Sequence, residues 1–268
     1  MIISCTRYGV IVDVMNCVTC IKIGKKYPSI YVNKLYNSVR DQSDLDFICF
    51  TDDPSGIDPN VTVYDMQPLV KDPSKWREPK RMRIGINSWW PAWNKLELFA
   101  REELDKYDKK IFFDLDVIIQ GDIAPILNFE TNFAVSPCKW KSPEWVKKNH
   151  TDKIPAFSFN TDCIVWKDIK FIYNKYILNW KKHARMYRGI DPYLNQFHFS
   201  DLEFLPNVFY SYREGSKPEH FWDSGEIPYL KFMPEYSVCM FHQEPEIHQL
   251  DPDHILYKIW NEKVSEIL

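Results

Sequence analysis

Apolar positions in the first half of the chain fall into short runs separated by stretches at helical spacing, an alternation that predicts strands followed by helices. Val10–Val14 reads as a short strand. A turn region around Gly24-Lys25-Lys26-Tyr27 follows, and Ser29–Arg40 then sets Ile30, Val32, Leu35, Tyr36 and Val39 at the spacing of an amphipathic helix. Phe47–Phe50 is a second apolar run, stopped by Thr51-Asp52-Asp53-Pro54, and Val61–Tyr64 is a third. Trp93–Leu104 reads as a helix through Leu96, Leu98, Phe99 and Leu104, and Lys110–Phe113 gives the next strand. Repeated strand–helix units predict an α/β fold, with a mostly parallel central sheet flanked by helices on both faces. The second half is less regular and rich in Trp, Tyr, Pro and His, which suits a lobe of loops and short elements. No linker, repeat or low-complexity tract divides the chain. A single domain over residues 1–268 is expected, with about 1–125 and about 126–268 as its halves.

Composition narrows the class. An apolar fraction of 45% and a charged fraction of 26% are ordinary for a globular protein, and a chain of 268 residues buries a core without disulfides. The aromatic fraction of 16% is high; a core of large side chains produces it, and so does a cleft lined with ring faces for sugars or bases. A net charge of −3 gives no global field for nucleic acid or an anionic membrane. No stretch reaches the roughly 18 apolar residues of a membrane span. Arg7 and Asp13 interrupt the apolar N-terminus and no small-residue cleavage site follows, so a soluble cytoplasmic protein without a signal peptide is expected. The 7 cysteines are an odd, scattered set, which argues for reduced and mostly buried thiols. Cys17 and Cys20 have the C-x-x-C spacing, but no second cysteine pair completes a zinc site. The basic run Lys75, Arg77, Lys80, Arg81 and Arg83 lies in a Pro-broken loop, either solvated or closing on a phosphate or an anionic acceptor.

The segment Lys110–Ile123 carries the chemistry. An apolar strand runs directly into Asp114-Leu115-Asp116, and strand period lets the two carboxylates face one side while Leu115 turns to the core. Ligands of open α/β sheets bind beyond the carboxyl ends of the strands, where this pair sits. Carboxylates beside an apolar run are costly unless neutralised, and a hard divalent cation that also carries a pyrophosphate would do so. A turn at a strand end is the plain alternative.

With its KKIFF and VIIQGDI flanks, the segment resembles the strand and D-x-D motif of GT-A glycosyltransferases, especially the glycogenin and galactosyltransferase group called family eight and its bacterial and viral relatives. Residues Val10–Gly56, with Gly24-Lys25-Lys26-Tyr27 and Phe50-Thr51-Asp52-Asp53, resemble the nucleotide-binding opening of these enzymes, and Lys95-Leu96-Glu97-Leu98-Phe99 the helix before the metal strand. Phe159-Asn160-Thr161-Asp162 stands where the family has Asn-Ser-Gly or Asn-Thr-Gly. Phe241-His242-Gln243-Glu244-Pro245-Glu246-Ile247-His248 is similar to its Phe-His-Gly-x-Pro-Lys-Pro-His/Trp pattern. Gln243 for Gly, Glu246-Ile247 for Lys-Pro and Asp162 for Gly are the departures; the missing Lys normally approaches the diphosphate.

The resemblance implies a GT-A fold and transfer of a sugar from a UDP-sugar to an acceptor hydroxyl, with retention. It implies Mn²⁺ (or Mg²⁺) held by Asp114, Asp116 and His242 together with two diphosphate oxygens. Thr51 and Asp52 fall where the base or ribose is contacted, although Asp-Asp-Pro-Ser-Gly is itself a turn signal. Leu115 lies between the two carboxylates of the donor-binding motif; Tyr27 offers a ring to stack on the base, and His248 shares the C-terminal motif. Lys95 reaches the diphosphate or sugar, or else is a solvated helix lysine. Asn160 and Asp191 are the candidates near the reacting sugar. Asp191 either handles the acceptor hydroxyl or caps the helix that Pro192 opens. The expected partners are thus a nucleotide-sugar and a carbohydrate acceptor. Two rival readings remain at this stage. A nucleotidyltransferase would carry a Gly-rich loop after its first strand, and Cys17–Tyr27 has one glycine; a carbohydrate-binding protein would not need the carboxylate pair.

Overall fold

Strands apolar on both faces can be buried only where both faces of the sheet are covered, and the central strands of this chain meet that condition. The computed structural model describes residues 6–7, 10–11, 15–68, 90–149, 158–187, 189–220, 228–242 and 244–262. Its strands in chain order are β1 Thr6–Arg7, β2 Val10–Ile11, β3 Asn16–Lys22, β4 Asp46–Thr51, β5 Thr62–Asp65 and β6 Lys109–Phe113. Then come β7 Val117–Ile119, β8 Phe133–Pro137, β9 Phe159–Trp166, β10 Glu203–Phe204, β11 Phe209–Ser211 and β12 Val238–Met240. Among the described residues, a seven-stranded sheet has the order β10-β8-β9-β6-β3-β4-β5. Only β9 runs against its neighbours; β3, β4, β5 and β6 pair in parallel, as do β8 and β10. The expected α/β, mostly parallel sheet is therefore present. It takes β8, β9 and β10 from the second half of the chain, so that half contributes sheet as well as loops.

Period-two alternation sorts the core into two layers. Val18, Cys20, Phe47, Cys49, Ile111, Phe113, Cys163 and Val165 face one side, under the helix Ser29–Arg40 and the C-terminal helix Ile255–Asn261. Cys17, Ile48, Phe50, Phe112, Ile164 and Trp166 face the other, against Trp93, Leu96, Phe99 and the Tyr176–Tyr193 aromatic group. No helix among the described residues is long and apolar enough to cross a membrane.

Of the expected short strand Val10–Val14, Val10–Ile11 is a strand and pairs antiparallel with Thr6–Arg7, while residues 12–14 lie outside the described residues; Asn16–Lys22 is the first strand of the seven-stranded sheet in chain order. That strand reads as a C-x-x-C motif because its apolar content is carried by cysteines. The expected single helix Trp93–Leu104 is broken into Trp90–Trp93, Lys95–Leu98 and a 3-10 turn Glu102–Leu104, with extended backbone at Arg101 between the last two. Its four expected core residues are buried all the same. The basic run from Lys75 to Arg83, and Gln243, lie outside the described residues.

Cys17 and Cys20 stand three apart on a strand, so they face opposite layers, and burial pushes both thiols up. They cannot form a redox pair or share a metal. Native protein treated with excess maleimide should leave both unmodified, as read by mass spectrometry of the digested chain. Fast modification of either one would contradict the packing.

Candidate active site

The chain folds so that the carboxyl end of β6 meets the two later segments bearing Asn160 and His242. Asp114 N–H donates to Asp162 O at 2.8 Å, which joins the end of β6 to the start of the antiparallel β9. After the Leu115-Asp116 turn the chain becomes β7, which pairs antiparallel with β12. The ladder continues one step further, with Phe241 N–H donating to Asp116 O at 2.9 Å, and this delivers His242 to the same end. Leu115 is buried in the core, so its side chain is not part of the site surface.

Each candidate ligand has an internal partner. Lys95 Nζ lies 2.5 Å from Asp114 Oδ2 and also donates to Thr161 O at 3.1 Å and Thr161 Oγ1 at 3.3 Å. Thr161 Oγ1 donates to Asp191 Oδ1 at 2.6 Å. Tyr27 OH donates to Asp116 Oδ2 at 2.8 Å. His242 Nε2 lies 2.7 Å from Asp162 Oδ2 and 2.9 Å from Asn160 Nδ2, with Ser211 Oγ 3.0 Å from its Nδ1. Asn160 is fixed from behind by Ser136 Oγ at 2.5 Å. Lys95 is thus a buried ammonium and not the solvated helix lysine of the alternative reading.

The electrostatics follow from burial. Burial alone would lower the Lys95 ammonium, but the charges of Asp114, Asp162 and Asp191 outweigh it and hold it above its ordinary value. Burial raises the Asp114 carboxyl, with Lys95 opposing it and Asp116 and Asp162 adding to it. Burial likewise raises Asp116 and Asp191. Burial would lower the His242 imidazole, but the Asp162 charge and hydrogen bond lift it to about 9. The same contact holds the Asp162 carboxyl below its ordinary value against the effect of burial. Four carboxyls, Asp114, Asp116, Asp162 and Asp191, therefore share two internal cations, Lys95 and His242, and burial opposes ionisation of all but Asp162.

Among the described residues, no three His, Cys, Asp or Glu side chains surround one point as a metal-holding set. The donor chemistry fits a hard divalent cation, with carboxylates in excess and an imidazole beside them. To serve as a ligand, His242 would turn from Asp162 and lose a proton.

The remaining candidates spread around this centre. Asp52 accepts from Gly24 N–H with both carboxylate oxygens at 3.1 Å, tying the ends of β3 and β4 together; Gly24 sits at φ 74°, a left-handed conformation that glycine adopts at little cost. Thr51 is buried and closes the turn with Asp53. His248 stands back, with its Nδ1 2.7 Å from Tyr31 OH, and Tyr31 in turn packs on Tyr27. Sequence reading missed Asp162 as the partner of His242 and noted it only as a departure from the family pattern. It also missed that Lys26 pairs with Glu246 at 3.0 Å, which sets a cation beside the departure from the family pattern. Both pairs join residues far apart in the chain.

In overall fold the chain is similar to the galactosyltransferase LgtC, solved in complex with donor and acceptor sugar analogues. The identity is 14%, over 94% of this chain and 96% of that one, with a TM-score of 0.58. It is also similar to the bifunctional glycosyltransferase WbbM in its apo form, at 13% identity and TM-score 0.55, covering 97% of this chain and 51% of that one. The chain thus spans about half the length of WbbM. No protein-family model and no curated protein matches it. What is shared is the GT-A fold that the D-x-D resemblance implied.

Lys95→Met should destabilise the protein by about 3 kcal/mol, because Asp114 is left half-buried without its partner. The double variant Lys95→Met/Asp114→Asn should recover most of that loss in urea unfolding. Simple addition of the two single effects would mean that the pair is not coupled.

Proposed function

We propose that the chain is a metal-dependent glycosyltransferase that moves a sugar from a UDP-sugar to a carbohydrate hydroxyl, with retention. The observation that carries this reading is the gathering of four carboxyls, Asp114, Asp116, Asp162 and Asp191, around only two internal cations, Lys95 and His242, beside the carboxyl end of β6, in a chain with a GT-A fold. Asp114, Asp116 and His242 would hold Mn²⁺ or Mg²⁺, which when bound neutralises charge on the departing nucleoside diphosphate.

In the transfer, the acceptor oxygen bonds to the anomeric carbon while the bond from that carbon to the diphosphate oxygen breaks. The diphosphate leaves with the electron pair, and the acceptor proton passes to it or to solvent. The chain's own residues prepare this step. Lys95 orients Asp114 and, through Thr161, Asp191. Tyr27, whose hydroxyl burial and Asp116 keep protonated, orients Asp116 as a fixed donor. Asn160, beside Asp162 and His242, and Asp191, tied to Thr161, would meet the sugar, and the Asp52–Gly24 turn would meet the nucleotide.

Thermal-shift measurements with UDP-, GDP-, CDP- and dTDP-sugars test this, each with and without Mn²⁺. A UDP-sugar with Mn²⁺ at about a hundred times its Kd should add about 2.7 kcal/mol, a rise of several degrees, while either component alone does far less. Asp116→Ala should abolish the shift and keep the fold, and Asp114→Ala should abolish it at a cost in stability, since Lys95 loses its partner. A full shift in either variant, or one indifferent to metal, would refute the assignment.

A further inference from the structure

The helices Lys170–Ile177 and Trp180–Met186 are joined by Leu178 and Asn179, and both bury their inner faces against one aromatic group. The Tyr176 ring lies 6.0 Å from that of His183, and the two lie 5.5 and 5.0 Å from Tyr193. Ile172, Tyr176, His183 and Ala184 are buried there, so the residues opposite them turn outward together on one surface.

Large apolar side chains on this surface face solvent: Phe171 is 52% exposed, Leu178 80% and Met186 49%. Its charges are all of one sign. Of the 17 residues from Lys170 to Met186, five are Lys or Arg and none is Asp or Glu, in a chain with 37 acidic and 34 basic residues. Lys170, Lys175, Lys181 and Lys182 are exposed and make no ion pair among the described residues. Burial lowers the His183 imidazole, and the charges of Lys182 and Lys175 add to it, so cations of both helices stand over one spot. The nearest acidic residues along the chain are Asp168, which accepts from the Lys170 N–H at 3.4 Å, and Asp191, turned inward to Thr161.

Like charges crowded on two short helices repel each other, and apolar side chains among them are left in water. A layer of anionic headgroups over an apolar interior relieves both costs. Phe171 and Leu178 stand two helical turns apart with Lys175 between them, an interleaving that suits a continuous surface better than a single fixed pocket. The net charge of −3 gives the whole chain no pull toward such a surface, so this patch has to supply it.

We infer that this surface docks the chain on an anionic phospholipid bilayer, with Lys175, Lys181 and Lys182 at the headgroup phosphates and Phe171, Leu178 and Met186 entering the headgroup layer. The docking is peripheral, and it does not depend on the transferase reading.

Co-sedimentation of the full chain with phosphatidylcholine vesicles, and with vesicles in which about a third of the lipid is phosphatidylglycerol, tests it. The anionic vesicles should bind at least about tenfold more tightly at low salt, and the gain should shrink as salt screens the lysines. Lys181→Gln/Lys182→Gln should remove most of the gain, and Lys147→Gln/Lys148→Gln, exposed on the helix Pro143–Asn149, should leave it. Leu178→Ser should weaken binding several-fold with urea unfolding unchanged, and it carries the test if the lysine variant does not fold. Equal binding to both vesicles, or a gain that survives loss of Lys181 and Lys182, would overturn the inference. So would a gain lost equally with Lys147 and Lys148, or a dimer in sedimentation velocity that Leu178→Ser splits, which would give this face to a second copy of the chain.

Discussion

A lysine ammonium is stable away from water only where carboxylates surround it, and a carboxylate at the end of an apolar strand is stable only where a cation meets it. Lys95 and Asp114 satisfy each other on these terms. The ammonium comes from the broken helical stretch that precedes β6, and the carboxylate from the end of β6 itself. The same ammonium reaches Thr161 on the antiparallel β9, and Thr161 holds Asp191 on the helix Ile190–His198. One buried charge thus fixes the relative positions of four elements that sequence separates by up to 96 residues, from Lys95 to Asp191. Without it, the carboxylates would repel each other in a half-buried space.

The second half of the site depends on backbone continuity. β7 and β12 pair so that the ladder ends at Asp116 and Phe241, and the next residue is His242. Asp162 then occupies His242, so the imidazole is parked beside the carboxylates and is not directed between them. A family member with glycine at that position would have no such partner. The departure changes the charge around His242 as well as the space, and any metal held through His242 would have to compete with an internal ion pair.

Much of the fold was legible because its signals are local. Phe47–Phe50 and Lys110–Phe113 are continuous apolar runs, and Ser29–Arg40 has clean helical spacing. Asp114 and Asp116 could be found because they interrupt such a run. β3 was obscured because cysteines at Cys17 and Cys20 serve as small apolar residues there, so a strand reads as a motif. The break in the helix before β6 escaped notice because Leu96, Leu98, Phe99 and Leu104 are buried whether or not the helix continues. Asp162 with His242, and Lys26 with Glu246, are pairings set by the tertiary fold, and no spacing along the chain encodes them.

The central claim is that the excess of carboxyls over internal cations at the end of β6 exists to be met by a cation bound together with a nucleoside diphosphate. An anomalous-difference map from crystals grown with Mn²⁺ and UDP measures this directly. The account predicts one strong peak coordinated by Asp114, Asp116 and a His242 turned away from Asp162, with diphosphate oxygens completing the shell. A nucleotide bound with no peak at these carboxylates, or a peak held elsewhere on the chain, would contradict it.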